Sequence, residues 1–363
     1  MTTRMARIAS LMLSAMCYAQ DQNQTTPPQP PPSKEASKKG PAKASKEFGA
    51  TRIARDDAGY IESAFIQSLV RFRFDDGFDD RNIDLARYFY SVGLANNIAK
   101  LNFREYHFKL EYAFARRFSA FVDTPIRTLA PKVSYLCAPE CNAQTQLQTL
   151  APVANAWFTG LSDLHAGFKV GLLNRPNLQA TFQLSTSIPT GDTKKGLGTG
   201  HSTIEPYFLY AQRLSDQFEI FGEVGDTHPF DSAKSVIFDP SRSVTEQTFA
   251  ADVVNYGLGA SYGVLQHSRV RITPVLEFVA WKVTGGLATI VAPGPVGLPV
   301  AYVVPPGASP AFGSNIVNVK AGWRTSWGEH NSIYTGLGIQ VSHAGWYHKL
   351  LRIEYRYVFR KLQ

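Results

Sequence analysis

The ten residues Glu105 to Phe114, EYHFKLEYAF, change between polar and apolar at almost every step. Aromatic and aliphatic side chains occupy the even positions of this stretch, and Glu105, His107, Lys109 and Glu111 occupy the odd ones. Successive side chains of a β-strand point to opposite faces, so the stretch predicts a strand with one apolar and one charged face. A helix would mix the two sets of residues.

The same period of two recurs along most of the chain, for example in Leu178 to Ile188 and Leu351 to Phe359. It predicts twelve strands, near residues 66–74, 102–114, 118–127, 162–172, 178–188, 203–213, 218–226, 253–262, 270–282, 315–325, 331–342 and 350–359. Most have the roughly 9 to 11 residues that a tilted strand needs to cross a bilayer. We therefore expect an all-β fold, a transmembrane up-and-down antiparallel β-barrel of about 12 strands, with 10 to 14 as the range.

Short and long connections alternate between these predicted strands. Outer-membrane barrels have tight periplasmic turns and long external loops, and an even number of strands returns both termini to the periplasm. The pattern predicts a bacterial outer-membrane location with periplasmic termini. Pro125, Pro206 and Pro274 fall inside predicted strands, where each must occupy a bulge or a strand end because proline lacks the N–H that a ladder requires.

The composition excludes several classes of protein. With 44% hydrophobic and 18% charged residues, the 363-residue chain is too apolar for wholesale disorder. It also lacks an uncharged apolar window long enough for a membrane-spanning helix. The net charge of +8 is not gathered into a Lys/Arg-rich stripe, so we do not expect nucleic acid as a partner.

Three segments are expected. Residues 1–19 are predicted to be a signal peptide, because Arg4 and Arg7 precede an apolar run and a small-x-small site at residues 17–19. Residues 20–59 are rich in Pro and Lys and predict a disordered periplasmic spacer, with a basic arm that contacts an anionic envelope polymer as the alternative. Residues 60–363 are expected to form the outer-membrane barrel.

The apolar faces of the predicted strands lack Asp, Glu, Lys and Arg. A charged residue at the bilayer midplane costs about 2 to 4 kcal/mol, so we expect these faces to contact outer-membrane lipid and the charged faces to line the lumen. Trp281, Trp323, Trp327, Trp346 and Tyr347 lie near predicted strand ends, where interfacial girdles form. The candidate lumen-lining residues are Arg71, Arg73, Glu105, His107, Lys109, Glu111, Asp123, Arg127, Asp163, His165, Lys169, Glu205, Glu219, Glu223, Arg271, Glu277, Lys320, Arg324, Arg352, Glu354 and Arg356.

Three features of the predicted loops suggest local chemistry. Cys137 and Cys141 are expected to form a disulfide in an exported protein, with a metal pair as the alternative. The run Asp75 to Asp80 predicts a solvated turn, although its carboxylates could also gather around Ca²⁺. Gly191 to Gly200 predicts a flexible external loop, because it lacks the spacing of a phosphate-binding loop. We expect no cofactor and no metal.

Ten basic and nine acidic residues among the candidates nearly balance, which predicts pairing across neighbouring strands and a weak ion-selective field. A barrel of about 12 strands lies between filled 8-stranded and open 16-stranded ones. The sequence thus predicts passive diffusion of small solutes through a narrow monomeric channel. A plugged structural or adhesive barrel with partner-binding external loops is one alternative. A hydrolase that uses His107 or His165 is another, but no G-x-S-x-G or H-E-x-x-H motif occurs, so we expect no enzyme.

Three motifs carry a family resemblance: the stretch GLSDLHAGFK at residues 160–169, IPTGD at 188–192 and GLGTG at 196–200. Together they resemble the outer-membrane barrel family described as phenol meta-pathway (MetA-type) proteins or transporters. The resemblance covers about residues 160 to 225. It implies a signal peptide, a monomeric barrel and uptake of aromatic or other hydrophobic compounds, and it transfers no binding residue.

Overall fold

A computed structural model describes residues 56–82, 85–89, 98–133, 157–230, 232, 234–239, 242–267, 270–290, 307–311, 313–343 and 345–359. The predicted signal peptide, the spacer up to residue 55, and the cysteines Cys137 and Cys141 lie outside the described residues. No helix within the described ranges has both the length and the apolar character needed to cross a lipid bilayer.

Twelve antiparallel strands close into a barrel. They are β1 (Leu69–Asp80), β2 (Ile98–Ala115), β3 (Phe118–Val133), β4 (Phe158–Leu161 and, after a short interruption, Leu164–Arg175), β5 (Leu178–Ile188), β6 (Ser202–Arg213), β7 (Phe218–Phe230), β8 (Val253–Tyr262), β9 (Val270–Val283), β10 (Asn315–Trp327), β11 (Asn331–Gln340) and β12 (Lys349–Val358). Each strand pairs with the next, and β1 pairs with β12. The predicted all-β up-and-down barrel is confirmed.

The two ends of the barrel differ, as the alternation of connections predicts. Turns of two residues join β2 to β3 and β4 to β5, and other short connections join β6 to β7, β8 to β9 and β10 to β11. The start of β1 and the end of β12 lie at this same end, which we name the short-turn end. The opposite, long-loop end carries the extended connections, two of which include small hairpins, at 234–239 with 242–248 and at 287–290 with 307–310.

The prediction of a turn at Asp75 to Asp80 is wrong, because β1 continues to Asp80. Its register shifts between Gly77 and Asp80, which accommodates the run without ending the strand. The physical reason is an ion-pair partner on the neighbouring strand β12. The Asp75 carboxylate faces the interior and accepts two hydrogen bonds of 2.8 Å from Arg352 on β12, so it has a better partner than solvent.

The three strand prolines lie where a ladder is interrupted or ends, as expected. Beside Pro125, β4 breaks into two pieces, and Ser162 N donates to the Pro125 carbonyl at 2.9 Å. The pairing of β6 with β7 is interrupted around Pro206. The pairing of β9 with β8 ends just before Pro274. Closure therefore does not depend on the missing N–H groups.

The barrel is apolar outside and charged inside, the reverse of a water-soluble protein. On the outer surface Phe108 is 52% and Leu258 is 61% exposed, whereas the inward-facing Lys169 and Glu277 are fully buried. This inversion is what a hydrocarbon environment demands of a barrel wall.

Only part of the predicted aromatic girdle lies on the outer surface. Trp323 and Trp327 are exposed there, but Trp281, Trp346 and Tyr347 are buried inside the barrel, so for these three residues the prediction is wrong. For Trp281 the strand period would have corrected it, because the residue shares its phase on β9 with the inward-facing Glu277.

Candidate functional site: the barrel lumen

The structure places all of the predicted lumen candidates on the inner side of the wall. Most are buried, namely Arg71, Glu105, His107, Lys109, Glu111, Asp123, Arg127, Asp163, Lys169, Glu219, Arg271, Glu277, Lys320, Arg324, Arg352, Glu354 and Arg356. The others are partly buried and line a central cavity, namely Arg73, His165, Glu205 and Glu223. The wall is therefore a dense array of charges of both signs.

Residues 56–68, which we name the inner loop, lie inside this lumen. At the loop's C-terminal end the Ser68 carbonyl accepts a hydrogen bond of 2.7 Å from Phe359 N, just after β12. Gln67 Nε2 donates to Asp56 Oδ2 at 3.1 Å and brings the two ends of the loop together. Between them the chain rises to Tyr60, whose hydroxyl donates to the Leu350 carbonyl near the other end of β12. The inner loop thus enters and leaves at the short-turn end.

Arginines hold the base of the inner loop. Arg271 donates to both carboxylate oxygens of Asp57, each at 2.9 Å, and Ser261 Oγ donates to one of them at the same distance. Arg356 Nη1 donates to Asp56 at 2.7 Å. Such bidentate, charge-assisted contacts are both strong and directional. The base is therefore attached to three separate strands, β8, β9 and β12.

The apex of the inner loop is held through its backbone. The Glu277 carboxylate on β9 accepts the N–H groups of Gly59, Tyr60 and Ile61, all between 2.9 and 3.0 Å. Glu223 on β7 accepts the N–H of the next residue at 2.9 Å. Because buried backbone donors must find acceptors, these two wall carboxylates take the place of a neighbouring strand.

The Glu62 side chain meets three cations of the wall. Lys109 Nζ lies 2.7 Å, Arg71 Nη1 3.1 Å and Lys169 Nζ 3.2 Å from its carboxylate oxygens. Lys169 also donates to the Ser63 carbonyl at 3.0 Å. The inner loop thus supplies the negative charge that a cluster of cations on β1, β2 and β4 requires.

Gly59 allows the inner loop to approach the wall closely. A Cβ on this residue would lie 2.2 Å from the ring of Tyr334, which is itself fully buried. Gly322 and Gly336 border the same ring, and a Cβ on either would lie within 3 Å of it. Three glycines therefore form the pocket that holds Tyr334 against the loop.

Sequence reasoning missed the inner loop. Residues 56–59 fall in the predicted spacer, and residues 60–65 carry no alternating pattern that would assign them to a strand. The lumen charges were expected to pair across neighbouring strands, but several of the arginines and lysines bind the inner loop instead. One signal in the sequence could have indicated that this segment enters the lumen. Three acidic residues, Asp56, Asp57 and Glu62, directly precede a barrel with many inward-facing cations.

A cavity of about 310 Å³ lies on the long-loop side of the inner loop. Tyr60 and Glu62 of the inner loop form its floor, and polar residues of most strands form its wall. Among the described residues, seven aromatic ones line it, namely Tyr60, Tyr88, Phe89, Phe103, Tyr207, Trp281 and Tyr347. The cavity therefore offers both ring faces and charged groups to a small solute.

Residues from the long connections cover the cavity. Tyr88, after β1, stacks on Trp346 with ring centroids 4.7 Å apart, and its hydroxyl donates to Asn255 Oδ1 at 2.9 Å. From the wall, Arg127 Nη1 donates to the carbonyls of Phe89 at 2.9 Å and Leu197 at 3.1 Å. Parts of three long connections are thus folded inward as a roof.

Residues 189–201 form the connection between β5 and β6 at the long-loop end, and they include Gly191 to Gly200, the predicted flexible external loop. The Asp163 carboxylate accepts the N–H of Gly191 at 3.1 Å and that of Thr199 at 2.7 Å, which fixes the loop to β4. Burial lowers the pKa of His201, which ends this loop. The GLSD and PTGD motifs thus meet in a structural contact.

One group of wall residues has the donor types of a metal site. Donor atoms of Asp75, Glu105 and His107 lie within 4.8 Å of one another. Each is already bound to an arginine: Asp75 to Arg352, Glu105 to Arg127 at 2.5 Å, and His107 Nε2 to an Arg73 nitrogen at 2.7 Å. A cation would have to displace three guanidinium groups, so the group fits an ion-pair network.

The two histidines considered for hydrolysis, His107 and His165, both lie beside carboxylates of the barrel wall. His107 Nδ1 lies 3.2 Å from Asp123, and Nε2 lies 3.2 Å from Glu105, so the ring is held between two carboxylates. His165 is partly buried in the cavity wall, next to Asp123 in the pairing of β3 with β4. In the pairing of β4 with β5, His165 is also opposite Ser187, which lines the same cavity.

Comparison with known proteins gives only distant similarity. No family model matches the chain, and no curated protein matches it. Among solved structures, the COG4313 outer membrane channel from Pseudomonas putida F1 has a TM-score of 0.49 at 12% identity, covering 84% of this chain and 99% of that one. The β domain of the Bordetella autotransporter BrkA has a TM-score of 0.42 at 11% identity, covering 81% and 99%. The KdgM porin has a TM-score of 0.38 at 8% identity, covering 80% and 99%.

Proposed function

We propose that this protein is a channel of the bacterial outer membrane for small solutes, aromatic or hydrophobic ones included, and that the inner loop blocks it in the conformation described. The observation that carries the proposal is an inverted barrel whose charged lumen holds a cavity between the inner loop and an aromatic roof. Short turns face the periplasm in barrels of this kind. The inner loop then closes the periplasmic half of the path.

The attachment of the inner loop is compatible with movement. Many contacts of the inner loop are hydrogen bonds and ion pairs between groups that water and salt can also satisfy. Ala58, Ile61 and Ala64 are buried, with Tyr60 and Phe65 packed beside them, so departure of the loop would also expose this apolar patch. Solutes would then cross by passive diffusion along a wall lined with both signs of charge.

Planar-bilayer conductance tests the proposal. The full chain is reconstituted, and a variant that carries both Asp57→Asn and Glu62→Gln is compared with it, because these changes weaken the base and the apex of the inner loop. We expect rare, brief openings for the unmodified protein and a severalfold higher open fraction for the variant. Glu329→Gln, in an exposed short turn, is the matched control and should leave conductance unchanged.

The density of contacts to the inner loop favours a second candidate, a permanently plugged barrel that displays its external loops to a partner. In that case neither the unmodified protein nor the double variant would conduct or allow swelling of liposomes. Absence of conductance in both would overturn the channel proposal and leave the plugged barrel as the better explanation.

A further inference from the structure

Lys320, on β10, is a buried cation without a conventional partner among the residues that the structure describes. Its side chain points into the central cavity, and the residue is 3% exposed. The ammonium lies 4.0 Å from the ring centroid of Tyr60, 5.3 Å from that of Trp281 and 5.8 Å from that of Tyr347. Within the described part of the chain, no residue accepts a hydrogen bond from Nζ or forms an ion pair with it.

The neighbouring carboxylates have other partners. Glu277, opposite Lys320 in the pairing of β9 with β10, accepts three backbone N–H groups of the inner loop. Asp75 is bound by Arg352 through two hydrogen bonds. Cation–π contacts compensate only part of the cost of removing an ammonium from water. Lys320 therefore leaves three donors directed at a cavity that is large enough for a solute.

From this arrangement we infer that the cavity binds a small aromatic solute that carries a carboxylate, with the carboxylate on Lys320 Nζ. The inference deepens the proposed function by naming the chemical class of the solute, and it rests on that function for its biological meaning. The ammonium supplies a charge-assisted hydrogen bond to the carboxylate. The rings around it supply faces against which an aromatic body packs.

The volume limits the size of the solute. Pockets for small ligands measure about 300 to 1,000 Å³, and the cavity, at about 310 Å³, lies at the lower limit. A single-ring carboxylate such as benzoate fits this range better than a larger conjugate. Tyr88 in the roof and Tyr207 in the wall also line the cavity.

The opposite wall contains the competing feature, two carboxylates that could attract a cation. Glu205 already accepts hydrogen bonds from Thr203 Oγ1 at 2.6 Å and from Ser185 Oγ at 3.2 Å. Glu223 accepts the N–H of Glu62. Both carboxylates thus have donors, whereas the Lys320 ammonium has no acceptor among the described residues. For this reason we expect the Lys320 ammonium to bind an anion in preference to a cation binding at the two carboxylates.

Calorimetric titration of the detergent-solubilised full chain tests the inference with three matched probes: benzoate, benzyl alcohol and benzylammonium. We expect benzoate to bind about tenfold or more tightly than benzyl alcohol, the range expected for a hydrogen bond between charged groups, and benzylammonium to bind most weakly. Lys320→Gln should abolish the preference for benzoate, and Lys320→Arg should retain part of it. Lys194→Gln, an exposed lysine of the loop after β5, should change nothing.

Two further measurements separate the possible failures. The first is heat-modifiable migration on a gel, which shows whether each variant is folded. The second uses Glu223→Gln, which keeps an acceptor for the inner loop but removes a negative charge near the cavity. This variant should bind benzoate more tightly than the unmodified protein. Equal binding of benzoate and benzyl alcohol, preferential binding of benzylammonium, or no binding of benzoate would each overturn the inference. Because titration needs no flux, a barrel that binds benzoate but does not conduct would contradict the channel alone.

Discussion

Asp57 and Arg271 form two parallel hydrogen bonds of 2.9 Å between the inner loop and the barrel wall. Their side chains are 1% and 3% exposed. Truncating one member of such a buried pair leaves the other charge without a partner, which is more costly than the pair itself is stabilising. This contact is therefore a sensitive point for the attachment of the loop.

Asp57→Ala is expected to lower the free energy of unfolding by about 3 to 5 kcal/mol, the range for removing one partner of a buried ion pair. Urea-dependent unfolding in lipid vesicles measures the change. Glu329→Ala, an exposed acid at the same end of the barrel, is the control and should leave the midpoint where it is. Equal midpoints for the unmodified protein and Asp57→Ala would show that the pair does not stabilise the fold.

Gly59→Ala is expected to displace the inner loop, because its Cβ would overlap the Tyr334 ring at 2.2 Å. The backbone around residue 59 should become accessible to protease, and the open fraction in bilayers should rise. Removing the ring with Tyr334→Ala in the same chain should restore protection, although at reduced stability because of the cavity that it creates. An alanine variant as protected as the unmodified protein would contradict the close approach.

Leu258→Lys is expected to destabilise the barrel by about 2 to 4 kcal/mol when folded into vesicles, since the residue points outward at the middle of β8. Tyr262→Lys, at the end of the same strand, should cost only about 0 to 1 kcal/mol because the cost of a charge falls towards the interface. If both variants were as stable as the unmodified barrel, the outer face would not contact lipid.

The loop at 189–201 should loosen in mild acid. Burial holds the pKa of His201 below its usual 6.5, so the unfolded loop binds a proton more readily than the folded one, and stability falls as the pH decreases through that usual value. Protection factors for amide exchange across the loop, which correct for the slower intrinsic exchange in acid, should be smaller at about pH 5 than at about pH 7.5. His201→Gln should remove most of that dependence. Equal protection factors at the two pH values in the unmodified protein would refute the assignment.

The strands were predictable from the sequence because the two faces of this wall meet such different surroundings. Leu178–Ile188 and Val253–Tyr262 occur at the predicted bounds. β1 extends beyond its prediction because Asp75 has a partner, Arg352, that is distant in sequence. Periodicity reports which side of the wall a residue faces, but it carries no information about contacts across the barrel.

The candidate site was only half predictable, for a related reason. The inward-facing charges follow from strand phase, and so does Trp281 once its phase is counted from Glu277. The inner loop has no regular secondary structure and hence no period. Its position is decided by several long-range contacts, such as that of Glu62 with Lys169, which no local pattern encodes.

The partners of the inner loop also determine when it can dock. They come from β1, β2, β4, β5, β7, β8, β9, β10, β11 and β12. No partly assembled sheet presents this complete set, since the first and last strands meet only on closure. Docking of residues 56–68 is consequently a late step of biogenesis. Protection of these residues from protease would therefore show when β1 has paired with β12 and the barrel has closed.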